Sequence, residues 1–190
     1  MKAMKYHDYI WDLGGTLLDN YETSTAAFVE TLALYGIKQD HDSVYQALKV
    51  STDFAIEAFA PNLEHFLEKY KENEARELEY PILFDGVSDL LEDISNQGGR
   101  HFLVSHRNNQ VLEILEKTSI AVYFTEVVTS SSGFKRKPNP ESMIYLREKY
   151  QISSGLVIGD RPIDIEAGQA AGLDTHLFTS IVNLRQVLDM

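Results

Sequence analysis

The chain has 190 residues, which is enough for one α/β domain with a small insertion, and its 44% hydrophobic and 24% charged residues are ordinary for a folded globular protein. A formal net charge of −12 disfavours nucleic acid or an anionic membrane as partner, although a bound cation and a few lysines can still attract an anionic substrate locally. The absence of cysteine excludes disulfides and thiolate chemistry, and it fits the cytoplasmic location that we expect.

Apolar runs along the chain predict the strands of a parallel sheet. The runs lie at residues 9–11, 101–104, 127–128, 156–158 and, more weakly, 175–178. Amphipathic helical patterns lie between and after them, at residues 87–94, 111–115, 163–171 and 182–188. A further helix is predicted after the third strand, with Asn139 as its N-cap and Pro140 as its first helical residue. Strands that alternate with helices predict a doubly wound, Rossmann-like α/β fold.

One segment interrupts this alternation. Residues 20–80 show helical periodicity with no convincing strand, and Pro61 and Pro81 punctuate the segment. We therefore predict an α/β core from residues 1–17 and 81–190, and a small all-helical cap domain from residues 18–80, inserted after the first strand. The cap would cover the carboxyl end of that strand, where ligands bind in open parallel sheets. The alternative is that this segment forms an ordinary helical layer of the core.

Polar side chains follow four of the predicted strands. Asp12 opens a Gly-rich turn after the first strand, Ser105 directly follows the second, and Lys137 precedes the helix after the third. Asp160 and Asp164 follow the fourth strand. Each of them alone is more commonly a turn, cap or surface residue. Because parallel strands end at the same edge of a sheet, we expect these five side chains to converge there.

Each residue type suits phosphate chemistry at such an edge. A carboxylate can attack phosphorus or bind a hard cation, a serine hydroxyl can hydrogen-bond an oxyanion, and a lysine can neutralise phosphate or neighbouring carboxylates. The two later aspartates suit a Mg²⁺ site, or they could merely complement a helix dipole.

The sequence around these residues resembles the haloacid dehalogenase (HAD) superfamily, subfamily I, and its phosphoglycolate-phosphatase-like members in particular. Asp-Leu-Gly-Gly-Thr-Leu-Leu-Asp at residues 12–19 resembles the family motif Asp-x-Asp-Gly-Thr-Leu. Val-Ser at 104–105, Lys-Pro-Asn-Pro at 137–140 and Gly-Asp-(x)3-Asp-Ile at 159–165 resemble the second, third and fourth motifs. The likeness extends over nearly the whole chain except the predicted cap.

This resemblance implies hydrolysis of phosphomonoesters through a covalent intermediate. Asp12 would attack the phosphoryl group to form an aspartyl-phosphate, which water then hydrolyses. Ser105 and Lys137 would stabilise the charge on the phosphoryl oxygens, and Gly15 and Thr16 would shape the phosphate-binding loop.

The resemblance also implies a cofactor and a class of partner. Mg²⁺ would be held by the carboxylates of Asp12 and Asp160 and by the backbone oxygen of Gly14, with Asp164 supporting them from outside the coordination sphere. The substrate would be a small phosphorylated metabolite, with no nucleic acid or membrane as partner. We expect a monomer or a homodimer.

Residue 14 departs from the family pattern. The phosphatases of the family carry an aspartate there, which acts as general acid and then base, whereas this chain has Gly14. The backbone oxygen remains, but the proton-transfer group is missing. His106, next to Ser105, is the candidate substitute acid/base, and a structural histidine is the alternative. Two other functions stay open: a nearly inactive phosphate-binding or regulatory protein, and non-phosphatase chemistry such as C–P or C–halogen cleavage.

Overall fold

The structure is a computed structural model that describes residues 4–190. The chain divides into two compact units, one with the described residues up to Leu18 together with Leu83–Met190, and the other with Asp19–Ile82. Among the described residues, no helix is both long and apolar enough to span a lipid bilayer. The role of the helical unit as a cap stays a prediction.

The larger unit contains one parallel sheet. Its strands are β1 (Asp8–Trp11), β2 (Arg100–Val104), β3 (Phe124–Val128), β4 (Gly155–Gly159) and β5 (Asp174–Leu177). They pair in the order β3-β2-β1-β4-β5. This order and the flanking helices confirm the predicted doubly wound α/β fold.

Helices cover both faces of the sheet. They are α5 (Val87–Asn96), α6 (Gln110–Lys117), α7 (Glu141–Lys149), α8 (Pro162–Ala170) and α9 (Ile181–Leu188), with short 3₁₀ turns at Ala121–Tyr123 and Ser130–Ser132. Tyr9 and Trp11 pack with apolar residues of α5, α6 and α9, whereas Ile10 packs with those of α7 and α8. Successive side chains of a strand point to opposite faces, so the buried run of β1 serves both layers.

The predicted start of α7 is wrong by one residue. The helix begins at Glu141, and Pro140 occupies the capping position rather than the first helical one. Asn139 Oδ1 accepts a hydrogen bond from the Glu141 amide at 3.0 Å, two residues along the chain. This side-chain turn satisfies the free amide and places the helix boundary one residue later.

The smaller unit is built from four helices and has its own core. They are α1 (Asn20–Leu34), α2 (His41–Val50), α3 (Thr52–Phe59) and α4 (Phe66–Glu77). Phe28 packs edge-on against Phe66 and Tyr70, with ring centroids 4.9 and 5.2 Å apart. Asn73, buried on α4, donates to Thr31 Oγ1 of α1 at 2.8 Å, so these two buried side chains are paired across the two helices.

A histidine lies fully buried in the core of the sheet unit. His101 Nδ1 accepts a hydrogen bond from Trp11 Nε1 at 3.0 Å, and Nε2 lies 3.1 Å from the Leu91 carbonyl oxygen. Because Nδ1 must accept and Nε2 must donate, these contacts require the neutral ring. Burial lowers the pKa of His101 to about 4.

We predict that His101 makes the fold less stable in mild acid. The unfolded chain takes up a proton on this ring near pH 6.5, whereas the folded chain does so only near pH 4. This contribution is therefore fully present above pH 6.5 and is lost as the pH falls toward 4, with a maximum of roughly 3 kcal/mol. Urea denaturation at pH 7 and pH 4.5 measures it.

The variant His101→Gln provides the comparison, since glutamine has no proton to take up in this range. It should show a smaller fall in the free energy of unfolding between the two pH values than the wild type does. Equal falls would assign the acid sensitivity to other groups.

Candidate active site

The site begins where the strand order reverses. The chain moves from β1 through β2 to β3 on one side, and then returns to place β4 on the other side of β1. Asp12 directly follows β1, and its amide donates to Ile158 O at 2.9 Å, which extends the pairing of β1 with β4. Asp160 directly follows β4. The two carboxylates therefore leave adjacent strands at the switch point of the sheet, where ligands bind in this class of fold.

The turn after Asp12 is fixed by hydrogen bonds to the Leu13 carbonyl and by the close approach of Gly15 to Asp160. Leu13 O accepts from the amides of Thr16, Leu17 and Leu18 at 3.3, 3.0 and 2.9 Å. Gly15 has a φ of +81°, and a Cβ there would lie 2.3 Å from the Asp160 carboxylate. Glycine is therefore required at residue 15 both for its backbone conformation and for space.

Thr16, the other residue predicted to shape this loop, is fully buried. Its hydroxyl donates to Asp160 Oδ1 at 3.3 Å and so connects the loop after β1 to the loop after β4. Gly14 is only half-buried, and its φ lies outside the left-handed region.

Lys137 is the cation at the centre of the site. Its Nζ is buried and donates to Asp12 Oδ1 at 2.7 Å, to Asp164 Oδ1 at 2.5 Å and to Val104 O at 3.1 Å. Three acceptors match the three protons of an ammonium group. Lys137 therefore neutralises two buried carboxylates and fixes their orientation.

Asp164 can reach this position because Gly159 has no side chain. A Cβ on Gly159 would lie 2.4 Å from the Asp164 carboxyl group. Asp164 Oδ2 also accepts from the Arg161 amide at 3.2 Å. Gly159 is missing from the residues predicted for the site, although a glycine at the end of a buried strand is a signal for such a close approach.

Three carboxylates form a group that could hold a metal ion. One oxygen from each of Asp12, Asp160 and Asp164 lies within 4.8 Å of the others. Asp12 Oδ2 is buried without a hydrogen-bond partner among the described residues, so it has a free acceptor position. Burial, and next the charge of Asp12, raise the pKa of Asp160 to about 6. Carboxylate oxygens with unbalanced negative charge fit a hard divalent cation.

Ser105 lies on the β2 side of the site. Its amide donates to Val128 O at 2.9 Å, and its buried Oγ accepts from the Arg107 amide at 3.2 Å. The structure places it at the expected edge of the sheet, one residue beyond Val104, whose carbonyl binds Lys137. It has no direct hydrogen bond to Asp12, Asp160 or Asp164.

His106 contacts the backbone of the lysine loop. Its Nε2 accepts from the Lys137 amide at 2.7 Å. Burial and the nearby charges of Lys137, Arg136 and Arg161 lower the pKa of His106 to about 4, so the ring is neutral at neutral pH. An acid/base role would have to use Nδ1, and these contacts favour the structural role that the sequence left open.

Comparison with known proteins identifies relatives over most of the chain. A sequence model described as "Haloacid dehalogenase-like hydrolase" matches residues 9–178. A phosphoglycolate phosphatase from Vibrio parahaemolyticus is 29% identical over 182 residues, covering 85% of this chain and 78% of that protein.

Solved structures match as well. The crystal structure of a hydrolase from Streptococcus pneumoniae TIGR4 has a TM-score of 0.96 and 95% identity, and covers 98% of this chain and 100% of that one. A HAD-superfamily hydrolase of subfamily IA from Geobacter sulfurreducens shares the fold, with a TM-score of 0.71 at 20% identity over 92% of this chain and 87% of that one.

We predict that Gly15→Ala disrupts the carboxylate group. The new methyl group would collide with Asp160 in addition to straining the backbone, so the melting temperature should fall and any stabilisation by an added divalent cation such as Mg²⁺ should disappear. Thermal unfolding with and without Mg²⁺ measures both effects.

Gly98→Ala is the matched control. Gly98 has a φ of +88°, but a Cβ at this position would meet no atom within 4 Å, so this variant carries only the backbone strain of about 1 to 2 kcal/mol. It should keep the response to Mg²⁺. Loss of the response in both variants would contradict the role of the close contact at residue 15.

Proposed function

The chain belongs to the haloacid dehalogenase-like hydrolase family, and from that premise we propose that it hydrolyses the phosphomonoester of a small phosphorylated metabolite with Asp12 as nucleophile. The observation that carries the proposal is the environment of Asp12. One of its oxygens is fixed by Lys137 and the other is buried without a partner beside Asp160. The relative named phosphoglycolate phosphatase supports a substrate of this class.

The first chemical step transfers the phosphoryl group to the protein. An Asp12 oxygen forms a bond to phosphorus while the bond from phosphorus to the ester oxygen breaks, which gives an aspartyl-phosphate and an alkoxide that must take up a proton. Lys137 holds the attacking carboxylate in one orientation through its bond to Oδ1. This fixed geometry reduces the entropy that must be lost on the way to the transition state.

The second step regenerates the carboxylate. A water oxygen forms a bond to phosphorus while the bond from phosphorus to Asp12 breaks, so phosphate leaves and the water gives up a proton. Ser105 Oγ and the loop amides would donate hydrogen bonds to the phosphoryl oxygens in both steps. Ser105 is well placed for this role because it follows β2 at the same edge as Asp12.

A divalent cation fits the donor set described above, and we propose Mg²⁺. Asp12, Asp160 and the backbone oxygen of Gly14 would hold it, with Asp164 keeping its bond to Lys137. When bound, the ion would neutralise charge on the phosphoryl oxygens and offset the repulsion between the carboxylates.

Proton transfer is the step for which the chain lacks the usual general acid/base side chain. Gly14 supplies no side chain, and the Nε2 of His106 is occupied by the Lys137 amide. We propose that turnover relies on substrates whose leaving oxygen is a good leaving group or carries its own proton donor. A positioned acid/base contributes about 10²- to 10⁴-fold in rate, so the wild-type enzyme should be slow with unactivated esters.

We predict Mg²⁺-dependent turnover of phosphomonoesters. Release of phosphate from a panel of small esters should fall to background after chelation and in the variant Asp12→Asn, because that amide cannot act as the nucleophile. Asp93→Asn, which changes a carboxylate paired with Arg185 outside the site, should keep full activity. Turnover that persists in Asp12→Asn would refute the assigned nucleophile.

A second prediction concerns the missing acid/base. The φ of Gly14 lies outside the left-handed region, so an aspartate at this position does not carry the strain of a positive φ. Gly14→Asp should raise kcat for esters with poor leaving groups, by up to about 10²- to 10⁴-fold. Gly14→Asn has the same size without the proton-transfer group, and it should not.

His106→Gln separates the two roles that the sequence left open for His106. Glutamine can still accept from the Lys137 amide but cannot exchange a proton, so we expect turnover to persist. A large loss in this variant would instead make His106 the substitute acid/base.

A further inference from the structure

The arginines of the chain fall into two groups. Among the seven of them, four donate to acceptors of the protein, and these are Arg76, Arg100, Arg147 and Arg185. The guanidinium groups of Arg107, Arg136 and Arg161 have no hydrogen bond or ion pair with any residue in the described part of the chain. The side-chain donors of these three arginines are therefore available to a ligand.

All three unpaired arginines lie on the loops that carry the active site. Arg107 comes two residues after Ser105, Arg136 directly precedes Lys137, and Arg161 directly follows Asp160. These loops follow β2, β3 and β4 in turn, so the arginines lie at the carboxyl edge of the sheet.

Two of these arginines act on the same ring. Burial lowers the pKa of His106 most, followed by the charge of Lys137 and then by those of Arg136 and Arg161. His106 itself contacts the Lys137 amide. Both guanidinium groups therefore lie within electrostatic range of one residue, and the ring of that residue is hydrogen-bonded to the backbone of Lys137.

Their exposure distinguishes them from Lys137. Lys137 is buried and already occupied by Asp12 and Asp164, whereas Arg136 and Arg161 are exposed. The part of a substrate that projects away from the reacting phosphoryl group would therefore meet exposed side chains of these loops and not Lys137. A guanidinium presents paired donors that match the oxygens of a carboxylate or a phosphate.

We propose that Arg136 and Arg161 form a second anion subsite beside the carboxylate group, which selects phosphomonoesters that carry a further anionic group. This inference rests on the proposed function and adds a substrate class to it. The positive subsite also offsets the repulsion that a chain of net charge −12 exerts on an anionic substrate.

The test uses three substrates that differ only in the tail. They are 2-hydroxyethyl phosphate with a neutral tail, phosphoglycolate with a carboxylate, and ethylene glycol bisphosphate with a second phosphate. We expect kcat/KM of the wild type to be about tenfold or more higher for an anionic tail, in line with a charged hydrogen bond. The order of the two anionic substrates shows which group the subsite accepts.

The variants Arg136→Gln and Arg161→Gln should each lower kcat/KM for the anionic tail by about 10- to 100-fold, mainly through KM. With the neutral tail the change should stay below about threefold, within the effect of a surface charge. Arg185→Gln removes an equal charge outside the site and should change neither. Equal losses on charged and neutral substrates, or no loss at all, would overturn the subsite.

Failure of the proposed function would be recognised separately. If the wild type turns over none of the three esters, the subsite is measured by binding in the Asp12→Asn background. Phosphoglycolate should then raise the melting temperature more than 2-hydroxyethyl phosphate does, and this difference should vanish when Arg136 or Arg161 is replaced. Equal shifts for both ligands would end the proposal.

Discussion

The bond network of Lys137 is the interaction on which the site depends. Asp12, Asp160 and Asp164 lie close together in a mostly buried position, and their mutual repulsion would destabilise the fold if nothing compensated it. Lys137 offsets this repulsion by donating to two of the three carboxylates and to the end of β2. Removal of one partner from such a buried group typically costs about 3 to 5 kcal/mol. The third carboxylate, Asp160, has no hydrogen bond to Lys137, and its pKa is raised.

The topology of the sheet explains why these residues meet. Asp12 and Lys137 are 125 positions apart in the chain, but the strand order places the ends of β1, β2 and β4 side by side. Two glycines then allow the side chains to approach closely, since Gly15 leaves room for Asp160 and Gly159 leaves room for Asp164. Strand order brings the loops together, and missing side chains allow the carboxylates to come into contact.

The sequence was sufficient to predict the fold class and the edge of the sheet to which Asp12 and Asp160 belong, because apolar runs and the polar residues after them are local signals. It could not predict that Lys137 binds both Asp12 and Asp164, since that choice depends on distances across the fold. The sequence also could not predict the hydrogen bond between His106 and the Lys137 amide, because an imidazole beside Ser105 suits either proton transfer or a structural bond. The start of α7 was misplaced because a local Asn139 turn competes with helix geometry.

Two adjacent glycines in the first loop serve different purposes. Gly15 is fixed by space and by its backbone conformation, so replacing it would damage the architecture. Gly14 does not have a φ in the left-handed region, so this feature of its backbone does not demand glycine. Under the proposed function, the rate of catalysis would depend on the residue at position 14, whereas the architecture depends on the glycine at position 15.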